Sequence, residues 1–563
     1  MNNQVRWFVA LNVVGALLST AHAAPPVNDD WAQRTVISAL PFSATVANVA
    51  EATLADTDPR PFCRVGASSQ GVRTVWYAIT PSSEVYLTIS ASGYDAMLGV
   101  YSGAPGNFQQ VFGGCNDDGL PSFAARIVGL KLAPGIEYSI NVAQFSAATT
   151  PGALTFQVSA PAPYVVTQFA DRAGVNCLPG NCSLREAVSA ATTAPAAILL
   201  SNGVYTLTLA GASENANALG DLDARGALAI YGTGSSVISA LGLNDRALEL
   251  DPLVTDGFTY ILRGLSVVDG NVIGDGGAIS AGTNTNDYLA LADAKLLRNR
   301  ATLNGGALRF GGNVEMSRSS IELNEANSSG GGVSFNGGAN TRAQITESTV
   351  AENLSRSSVA GGGGGIFSSA GSTLVVTSTL SANRANFAGG GILVSLSTGG
   401  LQMRYSTLAN NLADADGNDA AEGGGMRHEG GLSATLIGNL MSDNRTDSAG
   451  GALNDCSLSA SAGALATASN FVRTVGNCEF NSSGDIVNLD PRLEALAFNG
   501  ASTRTHLPAF GSAALDGLAA GCLPFDQRGI ARPMDGNADQ EPDCDFGAAE
   551  SDVIFADTFT SAQ

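Results

Sequence analysis

Two landmarks recur with a common period between residues 266 and 453, and a chain that repeats itself in this way has few folds open to it. Glycine clusters followed by short apolar runs occur at Gly276-Gly277-Ala278-Ile279, Gly305-Gly306-Ala307-Leu308, Gly331-Gly332-Val333, Gly364-Gly365-Ile366, Gly390-Gly391-Ile392, Gly424-Gly425-Met426 and Gly450-Gly451-Ala452. Their second glycines stand 29, 26, 33, 26, 34 and 26 residues apart. Ahead of each cluster lies an asparagine, three residues after an apolar side chain: Asn271, Asn299, Asn324, Asn353, Asn383, Asn411 and Asn444. Two independent landmarks keeping one period define a solenoid. Segments such as Thr373–Leu380 are β-branched and short, and glycine is too dense for stacked helices. A coil of this length holds three short strands and their turns, the repeat of a parallel β-helix.

The residue types follow from that geometry. Successive coils sit about 4.8 Å apart, so equivalent side chains stack along the axis. An asparagine at a corner donates to and accepts from its copies above and below, which predicts a structural ladder through the seven asparagines. Glycine before a strand permits left-handed backbone and close approach between coils. The length differences, as in Ala409–Glu422, belong in loops.

Upstream the pattern changes. Apolar or alternating runs at 74–80, 84–92, 96–101, 136–143 and 153–159 are separated by Gly, Pro, Asn and Asp clusters. This predicts a small β-sandwich over 25–160, with the Pro-containing stretch 161–163 as linker. The β-helix then runs over 164–490. Its first end needs a cap, because an open coil exposes a sheet edge and the core. A short helix starting at Ser183 fits, with Ser183 and Glu186 spaced as a capping box.

Composition narrows the classes of function. There are 50 acidic against 28 basic residues, a net charge of −22. That field repels phosphate backbones and anionic lipid, which argues against nucleic-acid or membrane-surface partners; the simpler account of the charge is that it keeps a Gly-rich exported protein in solution. Residues 1–23 read as a secretory signal: Arg6, an apolar stretch from Trp7 to Leu18, and an Ala21-His22-Ala23 cleavage site. No later run reaches the roughly 20 apolar residues of a membrane span. The expected location is therefore secreted or cell-surface. Eight cysteines in an exported chain favour disulfides, and chain proximity pairs them as Cys63/Cys115, Cys177/Cys182, Cys456/Cys478 and Cys522/Cys544.

Three stretches resemble known families. Asn28-Asp29-Asp30-Trp31, Thr74-Val75-Trp76-Tyr77, Tyr94-Asp95 and Cys115-Asn116-Asp117-Asp118 follow the order of the bacterial pre-peptidase C-terminal type of β-sandwich. That resemblance covers about 130 residues and implies an accessory module engaging polysaccharide or protein. The Cys182-Ser183-Leu184-Arg185-Glu186-Ala187 start resembles the opening of the choice-of-anchor Q β-helices. Asp490-Pro491-Arg492-Leu493, Thr503-Arg504-Thr505-His506, Asp526-Gln527-Arg528-Gly529 and Cys544-Asp545-Phe546-Gly547 resemble their ending. This implies a right-handed parallel β-helix, a C-terminal cap region over 491–550, and a bacterial surface or secreted protein with no established enzymatic role. The tail 551–563, with Val553-Ile554-Phe555-Ala556-Asp557-Thr558-Phe559, resembles a Phe-x-Asp-Gly-Phe-Glu tail of exported Gram-negative proteins but lacks its Gly and Glu.

For chemistry the residues offer little. Asp95, Asp117 and Asp118 are oxygen donors suited to calcium, as are Asp414, Asp416 and Asn418, whose Asp-x-Asp-x-Asn start resembles a calcium loop except that the glycine precedes the third ligand instead of following it. Asx-rich turns use the same residues. Otherwise no cofactor is expected. Asp419, Glu422, Arg427 and His428 lie near the second group, yet no convergent acid, base and stabiliser emerges, so no catalytic residue is assigned. His506 reads as structural. The expectation is a monomeric, all-β, non-catalytic protein, adhesin-like, binding extracellular glycan or protein. The alternative is a polysaccharide lyase or glycoside hydrolase working in a β-helix cleft.

Overall fold

In a computed structural model of the chain, the structure describes residues 23–552 apart from 65–70, 120–122, 213, 255–256, 359–360, 396–398, 418–421, 448–450 and 519–520. The expected signal segment before residue 23 and the tail beyond residue 552 lie outside the described residues.

Alternation of buried and exposed side chains in the first 160 residues builds two facing sheets. One runs in the order Thr35–Val36, Val72–Ile79, Tyr138–Gln144, Ala96–Ser102, Gln109–Asp117; the other is Phe42–Val46, Leu154–Ser159, Val85–Ser92, Ala125–Leu132. Pairing is antiparallel apart from Thr35–Val36. Val75, Leu87, Ile89, Leu98, Ile127 and Val142 fill the space between, and Tyr77 stacks on Phe156 with ring centroids 3.9 Å apart.

This sandwich sits flush on the first coils of the solenoid. Ala197, Ala229, Tyr231 and Ile261 of the solenoid belong to the same apolar cluster. The Tyr231 hydroxyl donates to the Gly129 carbonyl at 2.9 Å and accepts from the Lys131 amide at 3.1 Å. Gly129 is required there: a Cβ on it would come within 2.9 Å of the Ala229 Cβ.

Helix α1, Leu184–Thr193, closes the first end. Ser183 and Glu186 form the capping box, and Leu184, Ala187, Val188 and Ala191 plug the solenoid core. Its Arg185 is fully buried in an ion pair with Asp171 at 2.8 Å. The same guanidinium donates to the Gly220 and Asp221 carbonyls, so a buried charge has both its partner and its hydrogen bonds.

Among the described residues the strands of the solenoid pair in parallel. One coil shows the plan: strands Tyr288–Ala292, Lys295–Leu297 and Arg300–Ala301, a glycine turn, then Leu308–Phe310. The strands equivalent to Leu308–Phe310, most of them preceded by glycine, stack into a nine-stranded sheet, and the two-residue strands into a seven-stranded one. Inward apolar residues from Val166 to Val472 make one continuous core, which fits the expected all-β, parallel β-helix class.

The corners explain the ladder. Arg298, Leu323, Glu352, Ala382, Asn410 and Asp443 each take left-handed backbone with φ between 54° and 60°, and each precedes a ladder asparagine. Asn324 Nδ2 donates to Asn353 Oδ1 at 2.9 Å and to the Leu296 carbonyl at 3.0 Å. The same connection links Asn299, Asn324, Asn353, Asn383, Asn411 and Asn444, ending on Asp455. Asn271 is a correction. It is exposed and pairs with Arg300, not Asn299. The left-handed residue of its coil is Asp269, which places Gly270 at the ladder position, with its amide donating to Asn299 Oδ1 at 2.9 Å.

A second ladder at another corner has no counterpart in the sequence analysis. It runs Ser319, Ser348, Ser378, Ser406, Asn439, Asn470, Asp485, each amide donating to the next side-chain oxygen.

The four disulfides join the expected pairs: Cys63 with Cys115, Cys177 with Cys182, Cys456 with Cys478, and Cys522 with Cys544. Cys478 is joined to Cys456 as expected and is also part of the apolar core. It lies in no strand, in a loop where a surface position would be ordinary, yet it is only 5% exposed. Its partner Cys456 begins the last strand of the nine-stranded sheet, Cys456–Leu458, with its side chain turned inward. The bond therefore draws Cys478 over the open far end of the core, with Val475 and Phe480 packed beside it. A free cysteine is a small apolar side chain, and a bonded one has no polar group to leave in water.

After Ile486–Val487 the chain doubles back along the flank of the solenoid. Arg504 reaches Glu322 at 2.7 Å and Glu352 at 3.2 Å. Gln527 touches Thr349 and Thr379, and the Ala548 amide donates to Thr407 Oγ1 at 3.0 Å. Among the described residues no helix is long and apolar enough to cross a membrane.

Candidate functional site

The first complete coils bring together acids that are far apart in the chain. In the strand Leu222–Ala224 the outer residues point into the core, which turns Asp223 outward. In Leu248–Leu250 the same alternation turns Glu249 outward, and parallel pairing sets Glu249 beside Asp223. Asp221 lies one residue before the first of these strands. Oxygens of Asp221, Asp223 and Glu249 all lie within 4.8 Å of one another.

Hydrogen bonds fix the group. Asp223 Oδ2 accepts from the Asn217 amide at 2.7 Å, while Asn217 Nδ2 donates to the Arg185 carbonyl and to Ser189 Oγ of α1. The Asp223 Oδ1 atom is buried with no hydrogen-bond partner. Arg246 pairs with Asp221 at 3.2 Å and with Glu249 at 2.9 Å. Glu249 is the member facing solvent, its side chain 26% exposed.

Burial dominates the electrostatics. Together with the neighbouring Asp245 it pushes the Asp221 carboxyl up to about 8, against the pull of Arg246. Burial, with Glu214 and Glu249 nearby, pushes Asp223 up to about 7. The pair can thus carry protons near neutral pH beside an ion-paired glutamate, the division of roles on which acid–base chemistry relies.

The sequence candidates are placed as follows. Asp95, Asp117 and Asp118 come together, their oxygens within 4.8 Å, where the sandwich meets the solenoid. Asp414 is buried and Asp416 exposed, and Asn418 lies outside the described residues. Among the described residues Asp414 and Asp416 belong to neither group of three acids. Arg427 pairs with Glu422 at 2.6 Å and Glu429 at 3.0 Å. His428 faces the core beside Val394 and Leu458, and burial lowers its pKa, so it does not meet that loop as a solvent-facing base. His506 bonds Ser381 Oγ at 2.8 Å and the Glu494 carbonyl at 2.7 Å. A cavity of about 690 Å³ in the C-terminal region, between Phe498, Leu507, Phe510 and Arg528, is mainly apolar and remote from both acid groups.

Sequence reasoning missed Asp221, Asp223 and Glu249. The available signal was an acid between two apolar residues, Leu222-Asp223-Ala224 and Leu248-Glu249-Leu250, in segments one coil apart.

No protein-family model matches the chain, and no curated protein matches it. Among solved structures, the chain is similar to pectate lyase Pel9A at 14% identity and TM-score 0.32, covering 69% of this chain and 96% of that one. It is similar to the Agl-KA catalytic domain at 12% and 0.22, covering 76% and 95%. It is also similar to a GH87 α-1,3-glucanase catalytic domain in complex with nigerose at 10% and 0.17, covering 79% and 98%. Likeness at this level transfers neither a substrate nor a residue role. The expectation of a non-catalytic, adhesin-like protein with no convergent acid group is withdrawn on the site itself, where Asp221, Asp223 and Glu249 come together with two of their carboxyls pushed up toward neutral pH.

Proposed function

We propose that this chain is a polysaccharide-cleaving enzyme, with Asp221, Asp223 and Glu249 as its acid–base group. The observation that supports the reading is the convergence of three carboxyls on neighbouring coils, two of them holding protons near neutral pH. Cleaving a glycosidic bond requires proton transfer at the bridging oxygen. Glu249, at the solvent edge, is the group that touches the sugar. Asp221 and Asp223 stand behind it as proton donors that recharge it, and Arg246 holds Glu249 in place. The long regular flank of the solenoid suits an extended polymer.

Export and a place outside the cell belong to the same proposal, as do the choice-of-anchor Q and pre-peptidase C-terminal resemblances, an extracellular glycan as substrate, and a monomeric state. Four disulfides fit an oxidising compartment.

The test is to incubate the full chain with neutral and acidic polysaccharides and to assay both new reducing ends and ultraviolet-absorbing unsaturated ends. Hydrolysis gives the first alone; elimination gives both. Glu249→Gln should lose activity about 10²–10⁴-fold, the usual contribution of a positioned proton-transfer group, with its circular dichroism unchanged. Full activity in Glu249→Gln and Asp223→Asn would refute the assignment.

A further inference from the structure

We infer that Asp95, Asp117 and Asp118 form a site for a calcium-like divalent cation at the seam between sandwich and solenoid. Asp95 immediately precedes the strand Ala96–Ser102. Asp117 and Asp118 end the strand Gln109–Asp117, which pairs with it. Antiparallel register therefore carries the three carboxylates to one end of the same sheet, with oxygens within 4.8 Å of one another.

Three acids gathered this closely repel one another, and most such groups sit in water, where repulsion is screened. This one does not. Asp117 is only 3% exposed; one of its oxygens belongs to the acid group, and its Oδ1 is buried without a hydrogen-bond partner. A buried carboxylate oxygen with nothing to receive is costly. Arg64 is the cation nearby, but its Nη1 is directed to the Phe145 carbonyl at 2.9 Å. Its guanidinium also lies over the Phe145 ring, 4.5 Å from the centroid. One arginine against three carboxylates leaves a negative surplus. The donors are all oxygens, which selects a hard ion over zinc.

The position gives the ion a task. The Asp118 carbonyl accepts from the Gly257 amide at 2.9 Å, and Asp118 Oδ2 accepts from Asn286 Nδ2 at 2.7 Å. Beside it, Asn116 Nδ2 donates to the Gly257 carbonyl and Thr259 Oγ1. Gly257, Thr259 and Asn286 all belong to the solenoid. A cation on the three aspartates would fix the turn that carries these bonds, and so would lock the sandwich to the coils. This site is independent of the acid group at Asp221.

The experiment is calorimetric titration of calcium into the full, chelator-treated chain, with melting curves in calcium and in chelator. Binding and a rise in Tm with calcium are expected. Asp117→Asn should lose the binding; Asp95→Asn, at a half-buried position, should weaken it while leaving the fold intact by circular dichroism. Asp223→Asn should bind as the parent does. Absence of calcium binding by the parent chain, or binding unaltered in both Asp117→Asn and Asp95→Asn, overturns the inference. Loss in Asp223→Asn alone would move the ion to the other acid group and overturn it equally.

Discussion

Asn353 Nδ2 donates to Asn383 Oδ1 at 2.9 Å, and the Asn353 backbone amide donates to that same oxygen at 3.2 Å. Each ladder amide thus satisfies a backbone group and a side chain at once. Asn353 also donates to the Ile321 carbonyl and accepts from Asn324. Asn353→Ala would orphan several buried polar groups, each costing about 1–3 kcal/mol. We expect a loss of about 3 kcal/mol or more in urea denaturation. Asn271→Ala, at the exposed position outside the ladder, should stay within about 0.5 kcal/mol of the parent.

Stability should fall as pH rises from about 4 to about 8. The carboxyls of Asp221 and Asp545 are pushed up to about 8, and those of Asp223 and Glu550 to about 7, burial being the leading cause in each. Unfolded, such groups titrate near 4. Between those limits the native state holds more protons than the unfolded state, so raising pH favours unfolding, and the loss is complete above the folded values. Denaturation midpoints measured at pH 5 and pH 8 check the direction. Asp545→Asn, which cannot ionise, should flatten the slope.

The disulfides should differ in weight according to the loops they close. Cys63–Cys115 spans 52 residues and Cys177–Cys182 spans 5. Loop-closure entropy gives about 4 kcal/mol for the first and about 2 kcal/mol for the second. Equilibrium denaturation of the two double Cys→Ala variants should rank them in that order.

Gln527 should matter more than a residue of a C-terminal loop ordinarily does. Its amide donates to Thr349 Oγ1 at 3.0 Å and to Thr503 Oγ1 at 3.1 Å, and its Oε1 accepts from Thr379 at 2.7 Å. Gln527→Ala removes the partner of the Thr379 and Thr503 hydroxyls, at a cost of about 1–3 kcal/mol for each unsatisfied group, while Thr349 keeps its bond to the Arg504 carbonyl. Limited proteolysis should then cut the region after residue 490 at lower protease concentration than in the parent.

The solenoid was legible because stacking imposes the same contact on every coil, and glycine and asparagine are conspicuous when they recur. The serine ladder was hidden by the commonness of serine, although Ser319, Ser348 and Ser378 keep the period. Asn271 was misplaced because its spacing from Asn299 fits the repeat, whereas its pairing register is offset by one residue. The partner of Cys478 could be read from chain proximity, but its burial at the end of the core could not, since no apolar periodicity surrounds it. The carboxyl group at Asp221, Asp223 and Glu249 depends on inter-coil register, which the sequence does not display. Asp95 with Asp117 and Asp118 could be singled out by residue type, but their meeting rests on the pairing of two strands. The Asp414 loop shows the converse, since a sequence close to a known ligand pattern does not gather its acids into one group among the described residues.

A stack of coils held only by nearest neighbours tends to fray from its ends, each turn peeling with little regard for those beyond the next. Here the returning segment grips Glu322, Thr349, Thr379 and Thr407, which lie on four successive turns. Peeling any one of them strains its hold on the others. Unravelling from that side therefore becomes a single concerted event, and a peptidase meets a clasped spindle in place of a loose thread.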